Sequence, residues 1–453
     1  MSIFSISPID GRYESSSQAL VPYFSEFALI RYRVKIECEY FIFLATHSDF
    51  NFELNSKEIA FIRSFYIDFT KLDANRVKAI EQVTNHDVKA VEYLIKEKID
   101  ASSFANIQKN KEFIHFNLTS EDINNLSFSL MYKDAVAEVV LPQLKSLVTI
   151  MQNLAFGSAD IPFLSLTHGQ TATPTTFGKE IAVFVYRLQR QIKILENINF
   201  FGKFGGATGS WSSHLVSYPD VDWLGFAKTF VESFGLEFCP LTTQIVPADS
   251  LVESYDGFMR VNTILVDFAR DMWLYVMRGV LGQQKKEGEV GSSAMPHKIN
   301  PINFENAEGN LQFANSLFGE LGRQLPVSRM QRDLSGSTVI RNQGMPLAHS
   351  LLAYQNLIKA VDRIAVNQIL MNQELENHWE VVAEGIQNLL RKLNYPNPYE
   401  ALKSLTRGSK ITKEIIQEFI VSLDIPISEK ERLLRLTPQN YTGISKKLVD
   451  FIR

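Results

Sequence analysis

Cysteine is scarce in this sequence, and long apolar runs are missing. The 453 residues include only two cysteines, Cys38 and Cys239, which lie far apart. Two distant cysteines exclude a disulfide framework and a paired-cysteine zinc motif, so we expect no metal site and a reducing cytoplasm. The sequence contains no run of about 18 apolar residues, which a membrane span would require. The opening MSIFSISPIDGRY lacks the cationic start and apolar core of a signal peptide.

Neither sign of charge is in large excess. The formal net charge is −4 and the pI is near 6.1. This balance provides no positive field for nucleic acid or for an anionic membrane, and we predict neither as a partner. Hydrophobic residues make up 45% and charged residues 21% of the chain, as in soluble globular proteins. An anionic ligand would therefore need a local cluster of cations and amides.

Glycine and proline are absent over long stretches. No glycine occurs between Gly11 and Gly157, and no proline occurs between Pro22 and Pro142. Turn-rich β proteins need these residues often, so their absence favours helices.

Two long segments place apolar residues at helical spacing. One is 258–281, and the other follows Pro174, where Thr173 is predicted as the N-cap and the proline occupies the first helical turn. Helices that are apolar on more than one stripe usually pack in a bundle or at a subunit interface. We predict an all-α protein of three domains: a helical N-terminal domain (1–108), a central long-helix bundle (109–361) and a helical C-terminal domain (362–453).

Polar segments dense in functional groups interrupt this helical background. They are TNHDVKAVE (84–92), HFNLTSEDINN (115–125), LTHGQTATPTTFGKE (166–180), GEVGSSAMPHKINPINFEN (288–306) and, more weakly, SRMQRDLSGSTVIRN (328–342). In TSEDINN, an N-cap followed by Ser120, Glu121 and Asp122 in the first turn is an ordinary helix start. The NHD triplet also suits a solvated helix end.

The segment 288–306 is difficult to explain as a structural loop. Its glycines permit backbone conformations denied to other residues. Lys298 and Asn300 supply a cation and an amide for a carboxylate, and the backbone N–H groups around Ser292 and Ser293 could form an anion-binding nest. A structural loop needs none of these groups, so we predict a functional site here.

Other polar residues admit both a functional and a structural interpretation. His168, just before a predicted helix start, suits proton transfer, although a lone loop histidine more often packs or caps. Arg332 and Arg341 suit a phosphate, whose oxygens match a guanidinium fork, but ordinary ion pairs explain them equally well. Arg12 and Tyr13 could add another cation and a hydroxyl.

Several motifs together resemble one enzyme superfamily. TSEDINN, THGQ and GSSAMPHKINP are similar, in this order, to the three active-site regions of the fumarase/aspartase superfamily, whose members eliminate fumarate from substituted succinates. SPIDGRY, TNHDVKAVEY and His297 resemble the bacterial type of its adenylosuccinate-cleaving branch. The resemblance implies release of fumarate from adenylosuccinate, giving AMP, and from succinyl-aminoimidazole-carboxamide ribotide, without a metal or an organic cofactor.

The resemblance also implies roles for the matching residues. Ser292 would be the base and His168 the acid, with Glu305 orienting His168 and His86 assisting it. Ser293, Lys298 and Asn300 would bind the substrate at its succinyl end. The phosphate end would be bound by Arg12, Tyr13, Arg332, Ser337, Thr338 and Arg341. The remaining substrate contacts would come from Asn85, His86, Asp87, Thr119, Ser120, Gln244 and Asn306. Thr171 stands where relatives often carry proline after THGQ.

Assembly and competing functions follow from the same comparison. The superfamily implies a homotetramer in which three chains contribute to each active site. Alternatives are another of its lyases (argininosuccinate lyase, fumarase, aspartase or the carboxymuconate cycloisomerase) or a non-catalytic scaffold. The phosphate-suited arginines and the GRY and NHD pieces favour a nucleotide substrate. A scaffold would not need Ser292, His168, Lys298 and Glu305 together.

Overall fold

The computed structural model describes residues 3–284, 299–406 and 411–453 of the chain. Within these ranges the prediction of an all-α fold is confirmed, because the strands are only two or three residues long. The α-helices are α1 (Glu14–Ser17), α2 (Val21–Phe24), α3 (Glu26–Leu44), α4 (Ser56–Ile67), α5 (Lys71–Thr84), α6 (Asp87–Asp100), α7 (Ala105–Lys109), α8 (Ser120–Ala135), α9 (Leu141–Gly157), α10 (Phe177–Glu196), α11 (Ser212–Ser217), α12 (Trp223–Glu232), α13 (Asp249–Met277), α14 (Ile302–Gln324), α15 (Ser335–Ile340), α16 (Gly344–Val361), α17 (Gln368–Glu376), α18 (Ala383–Lys392), α19 (Pro398–Thr406), α20 (Lys413–Ser422), α21 (Ile427–Leu434) and α22 (Ser445–Leu448).

Shorter elements complete the described secondary structure. The strands are β1 (Pro162–Phe163), β2 (Leu166–Thr167), β3 (Gln170–Thr171), β4 (Thr175–Thr176), β5 (Phe201–Gly202), β6 (Glu237–Phe238), β7 (Leu281–Gln283) and β8 (Ile364–Val366). They pair as β1–β4, β2–β3 and β7–β8, all antiparallel, and as β5–β6, which is parallel. Single 3-10 turns lie at Gln18–Leu20, Lys111–Phe113, Trp379–Val382 and Val449–Ile452, and a π-helical turn at Val136–Val140 joins α8 to α9.

Local sequence signals account for several helix starts. Capping boxes begin α4, α5 and α8, where the N-cap side chain and a carboxylate three residues later satisfy free backbone N–H groups. The predicted start of α8 beside Thr119 is therefore confirmed. The predicted helix start at Thr173 is wrong, because α10 begins at Phe177. Residues 175–176 instead pair with 162–163 as strands, so their backbone groups are satisfied by a ladder.

The described chain divides into two compact units. The first contains residues 1–144, 191–263 and 310–353, and the second contains 145–190, 264–309 and 354–453. The divisions fall within the long helices α9, α10, α13, α14 and α16. The domain limits at 108 and 361 remain a prediction.

In the first unit, the core is built around α3. This helix is buried on most of its faces and packs against α4, α6 and α8, as expected of a helix that is apolar all round. Beside it, aromatic rings of Tyr40, Phe43, Phe226 and Phe230 contact one another, many edge to face, an arrangement that their quadrupoles favour. These contacts join α3 to α12 within the core of the first unit.

In the second unit, the C-terminal helices form a separate apolar core. Its buried side chains include Trp379, Val382, Ile386 and Leu390, and Leu164 from the segment between β1 and β2 packs with them. The segment that carries THGQ is therefore anchored to the C-terminal core by an apolar contact. Among the described residues, no helix combines the length and the hydropathy needed to cross a bilayer.

Candidate active site

The N-terminal ends of α6 and α8 meet through His86 and Ser120. His86 is the N-cap of α6, and its Nδ1 accepts a hydrogen bond from the backbone N–H of Lys89 at 3.1 Å. A nitrogen that accepts cannot carry a proton, so the neutral ring carries its proton on Nε2. That atom lies 3.4 Å from Ser120 Oγ, which accepts the bond. Two helix N-termini at one place favour an anionic ligand through their dipoles.

Arg332 is held by three acceptors of the first unit. Its Nη1 donates to Gln244 Oε1 at 2.9 Å, its Nη2 donates to Ser337 Oγ at 3.3 Å, and Nη2 lies 3.1 Å from Glu121 Oε2. Gln244 is itself fixed, because its Nε2 donates to the carbonyl of Ala207 at 2.9 Å. Burial raises the pKa of Glu121, and the nearby guanidinium only partly offsets this effect. These contacts fix the orientation of the guanidinium, with a partly buried carboxylate beside it.

Arg341 belongs to a second charged group around Asp87. Its Nη2 lies 3.0 Å from Asp87 Oδ2, and its Nη1 lies 3.3 Å from Glu26 Oε2. Beneath them, the buried Arg33 donates to the same Asp87 oxygen at 2.7 Å and to Asn124 Oδ1 at 2.9 Å. Burial would raise the pKa of Asp87, but the two arginines outweigh it and hold that pKa below its usual value.

Sequence reasoning missed the buried arginine. Arg33 lies in the middle of α3, where a long basic residue among apolar neighbours was the only signal.

A buried ion pair supports the N-terminal turn of α8. Asp122 and Lys203 are almost fully buried, and Lys203 Nζ lies 2.8 Å from Asp122 Oδ1. The carboxylate also accepts hydrogen bonds from the backbone N–H groups of Thr119 at 2.9 Å and of Gly205 and Gly206 at 3.1 Å each. The sequence predicted only a capping role for this acid. The only sequence signal for its contacts with the 205–206 backbone was a cluster of glycines after residue 203, in a chain with long stretches that lack glycine.

His168 lies at the tip of a short β-ribbon in the second unit. The ribbon pairs Leu166 with Thr171 and Thr167 with Gln170, so His168 and Gly169 form a two-residue turn. Both turn residues have positive φ, 54° and 72°, as a type I′ turn requires. A non-glycine residue in this region costs roughly 1–2 kcal/mol, and such strain persists only where the surroundings enforce it.

Other predicted residues of the second unit lie on or near α14. Glu305 is in the first turn of that helix, and its carboxylate accepts a hydrogen bond from Trp273 Nε1 at 3.0 Å. No hydrogen bond joins it to His168 within the described part of one chain, so that predicted pairing remains a proposal. Asn306 Oδ1 accepts from Asn356 Nδ2 at 2.8 Å. Asn300 is partly exposed just before α14.

The remaining predicted residues have simple positions or lie outside the described residues. Asn85 ends α5 in the left-handed conformation, with φ 52°. The Arg12 guanidinium lies 5.8 Å from the centre of the Tyr13 ring, and Thr338 lies on α15 beside Ser337. Outside the described residues are Ser292, Ser293, His297 and Lys298. In the described part of the chain, no three His, Cys, Asp or Glu side chains are arranged to hold a metal ion.

Two sequence families match successive parts of the chain. Residues 11–313 match the family described as "Lyase", and residues 328–442 match the family described as "Adenylosuccinate lyase C-terminal". Together these matches cover most of the sequence, including all the polar segments of the candidate site.

Curated relatives match the chain over nearly its whole length. A protein of Haemophilus influenzae named adenylosuccinate lyase is 47% identical over 447 residues, which cover 98% of each chain. The adenylosuccinate lyase of Escherichia coli K12 is 45% identical over 454 residues, covering 100% of this chain and 99% of the relative. That of Dictyostelium discoideum is 47% identical, with 97% and 96% coverage.

Solved structures share the fold at much lower identity. The 3-carboxy-cis,cis-muconate lactonizing enzyme of Pseudomonas putida superimposes with a TM-score of 0.75 at 19% identity, over 96% of each chain. A fumarate lyase from a Mesorhizobium species gives a TM-score of 0.75 at 18% identity, over 96% of this chain and 97% of that one. At this identity the likeness establishes the fold alone, which agrees with the fold that the motifs predicted.

Proposed function

The chain belongs to the adenylosuccinate lyase family, and we propose that it eliminates fumarate from two succinylated purine precursors. It is a carbon–nitrogen lyase of purine nucleotide biosynthesis that converts adenylosuccinate to AMP, and we infer the corresponding cleavage of succinyl-aminoimidazole-carboxamide ribotide. The observation that carries this proposal is the full-length identity of 43–47% to curated proteins of that name. A cytoplasmic location, expected from the two unpaired cysteines, is part of the proposal.

Ser292 is the proposed base of the elimination. It takes a proton from the succinyl carbon beside a carboxylate, and the electrons of that C–H bond form the double bond of fumarate. Serine is a weak base unless its alkoxide is stabilised, and Lys298 with backbone N–H groups are the stabilising groups that the motif provides. The same cation, with Asn300, neutralises charge that grows on the carboxylate in the transition state, where stabilisation accelerates the reaction. Ser293 binds substrate beside them.

His168 is the proposed acid. When the C–N bond breaks, its electrons leave with the nitrogen, and His168 protonates that nitrogen so that the product departs with a neutral NH₂ group. Its position at the exposed tip of a ribbon, in a strained turn, is typical of functional residues. Glu305 is proposed to orient the imidazole. We propose that this carboxylate comes from a neighbouring subunit; within one chain it accepts a hydrogen bond from Trp273.

The charged groups of the first unit are proposed to bind the nucleotide. Arg332, held at three points, presents an oriented guanidinium to a phosphate, with Ser337 next to it. Arg341 supplies a second guanidinium, and Thr338 lies on the same short helix as Ser337. Arg12 and Tyr13 add a further cation and hydroxyl.

The paired ends of α6 and α8 are proposed to bind the succinyl and base portions. His86, with its proton on Nε2 pointing at Ser120, can donate to a substrate carboxylate and assist His168. The helix N-termini add favourable electrostatics for that anion. The other proposed contacts of these portions are Asn85, Asp87, Thr119, Gln244 and Asn306.

A homotetramer with shared active sites is the proposed assembly. Large apolar side chains are exposed along the long helices, and a soluble protein rarely leaves such surface open to water. Covering these helices with other copies of the chain would remove this surface and bring motifs of different subunits together. The exposed side chains are Val183, Tyr186 and Ile194 on α10, Leu274 and Met277 on α13, and Phe313 on α14.

A substrate panel tests the proposed function. Purified protein mixed with adenylosuccinate should change the ultraviolet spectrum as AMP and fumarate form, and the carboxamide precursor should also react. Argininosuccinate, malate and aspartate should remain unchanged under the same conditions. Turnover of one of these three, with adenylosuccinate untouched, would assign the chain to another branch of the superfamily. Inactivity on every substrate by a folded tetramer would favour the scaffold alternative.

A further inference from the structure

The ribbon that carries His168 needs support from outside itself. It comprises residues 162–176, in which β1 pairs with β4 and β2 pairs with β3. Between the two pairs, the backbone N–H of Ala172 donates to the carbonyl of Ser165 at 2.9 Å. An isolated two-stranded hairpin is only marginally stable in water, and this one also holds a strained histidine at its tip. Contacts with neighbouring elements must therefore enforce the conformation.

Two threonines of the ribbon meet two glutamates of the C-terminal part of the second unit. Thr173 Oγ1 donates to Glu384 Oε2 at 2.7 Å, and Thr171 Oγ1 donates to Glu380 Oε1 at 3.5 Å. Thr171 is the last residue of β3, and Thr173 follows it by two residues. Glu380 lies in the 3-10 turn Trp379–Val382, and Glu384 lies in the first turn of α18. The two threonines therefore face two carboxylates that are four residues apart in the sequence.

The two glutamates are themselves held in place. The Nδ1 atom of His378 lies 2.7 Å from Glu380 Oε1. Between the glutamates, Val382 is buried in the C-terminal core, and so is Trp379 just before them. The glutamates therefore present carboxylates from a rigid segment, which a surface loop could not do.

We propose that this threonine–glutamate clamp is a positioning device for His168. The clamp is formed by Thr171, Thr173, Glu380 and Glu384, and it acts on the acid through the backbone of the ribbon. The inference rests on the proposed function, because it assumes that His168 transfers the proton. The contact of Thr173 at 2.7 Å is shorter than the contact of Thr171 at 3.5 Å, so it is the stronger of the two.

Substitution at Thr173 gives the most direct test. Thr173→Val removes the hydroxyl and keeps the shape, and Glu384→Gln removes the charge of the acceptor. The Thr173 hydroxyl and the Glu384 carboxylate are exposed and share one hydrogen bond. For either variant we therefore expect kcat to fall about three- to tenfold, with KM unchanged. Thr173→Ser keeps the hydroxyl and should recover most of the rate. Thr171→Val should have a smaller effect, because its contact is longer.

Two matched controls separate positioning from general destabilisation. Glu376→Gln alters a carboxylate that binds Trp379 and Gln439 but no ribbon residue. Thr149→Val removes an exposed hydroxyl that bonds within its own helix. Neither should change kcat. The imidazole NMR signal of His168 should shift in Thr173→Val but in neither control, because the clamp acts on the histidine through the backbone of the ribbon.

The outcomes distinguish this inference from the proposed function. The clamp has no catalytic role if the native protein turns over adenylosuccinate and Thr173→Val has the same kcat. The same conclusion follows if Thr173→Ser does not recover the kcat that Thr173→Val loses. An unchanged imidazole NMR signal of His168 in Thr173→Val would also overturn the proposal. Inactivity of the native protein would overturn the function instead. Even if the native protein is inactive, the imidazole NMR signal of His168 tests the clamp: Thr173→Val should shift this signal, and Glu376→Gln should not. If Thr173→Val does not fold, Glu384→Gln replaces it in the comparisons of kcat and of the NMR signal.

Discussion

Neutralising Asp122 should destabilise the first unit far more than its single lost charge suggests. Each carboxylate oxygen serves two donors: Oδ1 receives Lys203 Nζ and the Gly205 amide, and Oδ2 receives the amides of Thr119 and Gly206. In Asp122→Asn, whichever way the amide is turned, its NH₂ group faces donors. Lys203 also loses its counter-charge in a site where it is only 1% exposed.

The expected cost follows from the burial of both partners. Removing one member of a buried ion pair typically costs about 3–5 kcal/mol, because the remaining charge is left uncompensated. We therefore expect the midpoint of thermal unfolding to fall by several degrees. The KM for adenylosuccinate should also rise. The glycine loop that Asp122 holds leads to Ala207, whose carbonyl fixes Gln244 beside Arg332.

Surface and double variants provide the comparison. Glu97→Gln breaks an exposed ion pair with Arg76 and should cost less than about 1 kcal/mol. Adding Lys203→Met to Asp122→Asn should recover part of the loss, because no unpaired charge then stays buried. If Asp122→Asn unfolds at the same temperature as Glu97→Gln, the buried pair does not stabilise the fold and the reasoning fails.

Three further predictions concern catalysis, binding and pH. Ser292→Ala and His168→Ala should each abolish turnover while the tetramer still forms by light scattering, and near-native rates in either would remove that residue from its role. Arg332→Ala should weaken AMP binding at least about tenfold by calorimetry; unchanged affinity would place the phosphate elsewhere. Burial lowers the pKa of His214 from 6.5 to about 4. Between these pH values the unfolded chain binds more protons than the folded chain, so the free energy of unfolding should fall as pH drops through this window. His214→Gln should flatten this dependence in unfolding scans, and His47→Gln should not.

The helical class was predictable because its causes are local, and of the two predicted helix starts the one beside Thr119 is confirmed. The absence of glycine and proline, the apolar spacing and the capping residues all act within one or two turns. The exception is instructive. Thr173 followed by Pro174 has the local character of a helix start, but pairing of 175–176 with 162–163 makes this segment part of a ribbon. No local pattern reveals a competing strand more than ten residues away.

The candidate site was predictable in composition but not in its electrostatics. The motifs identified Arg332 and Arg341, for which ion pairing and ligand binding were equally open, and Asp87, which also suited a solvated helix end. Only the folded chain shows that Glu121 lies against Arg332 and that Arg33 lies beneath Asp87. The interactions depend on partners tens to hundreds of residues apart, and their strength depends on burial.

The sequence by itself determined the helical class, the family and the set of groups able to carry the chemistry, because composition, short-range spacing and ordered motifs are written along the chain. Tertiary structure alone decided which of those groups share a hydrogen bond, which charges are buried, and that His168 lies at a strained tip clamped through Thr173. These properties arise from distances and solvent exclusion between segments remote in sequence, and both exist only once the cores of the two units have formed.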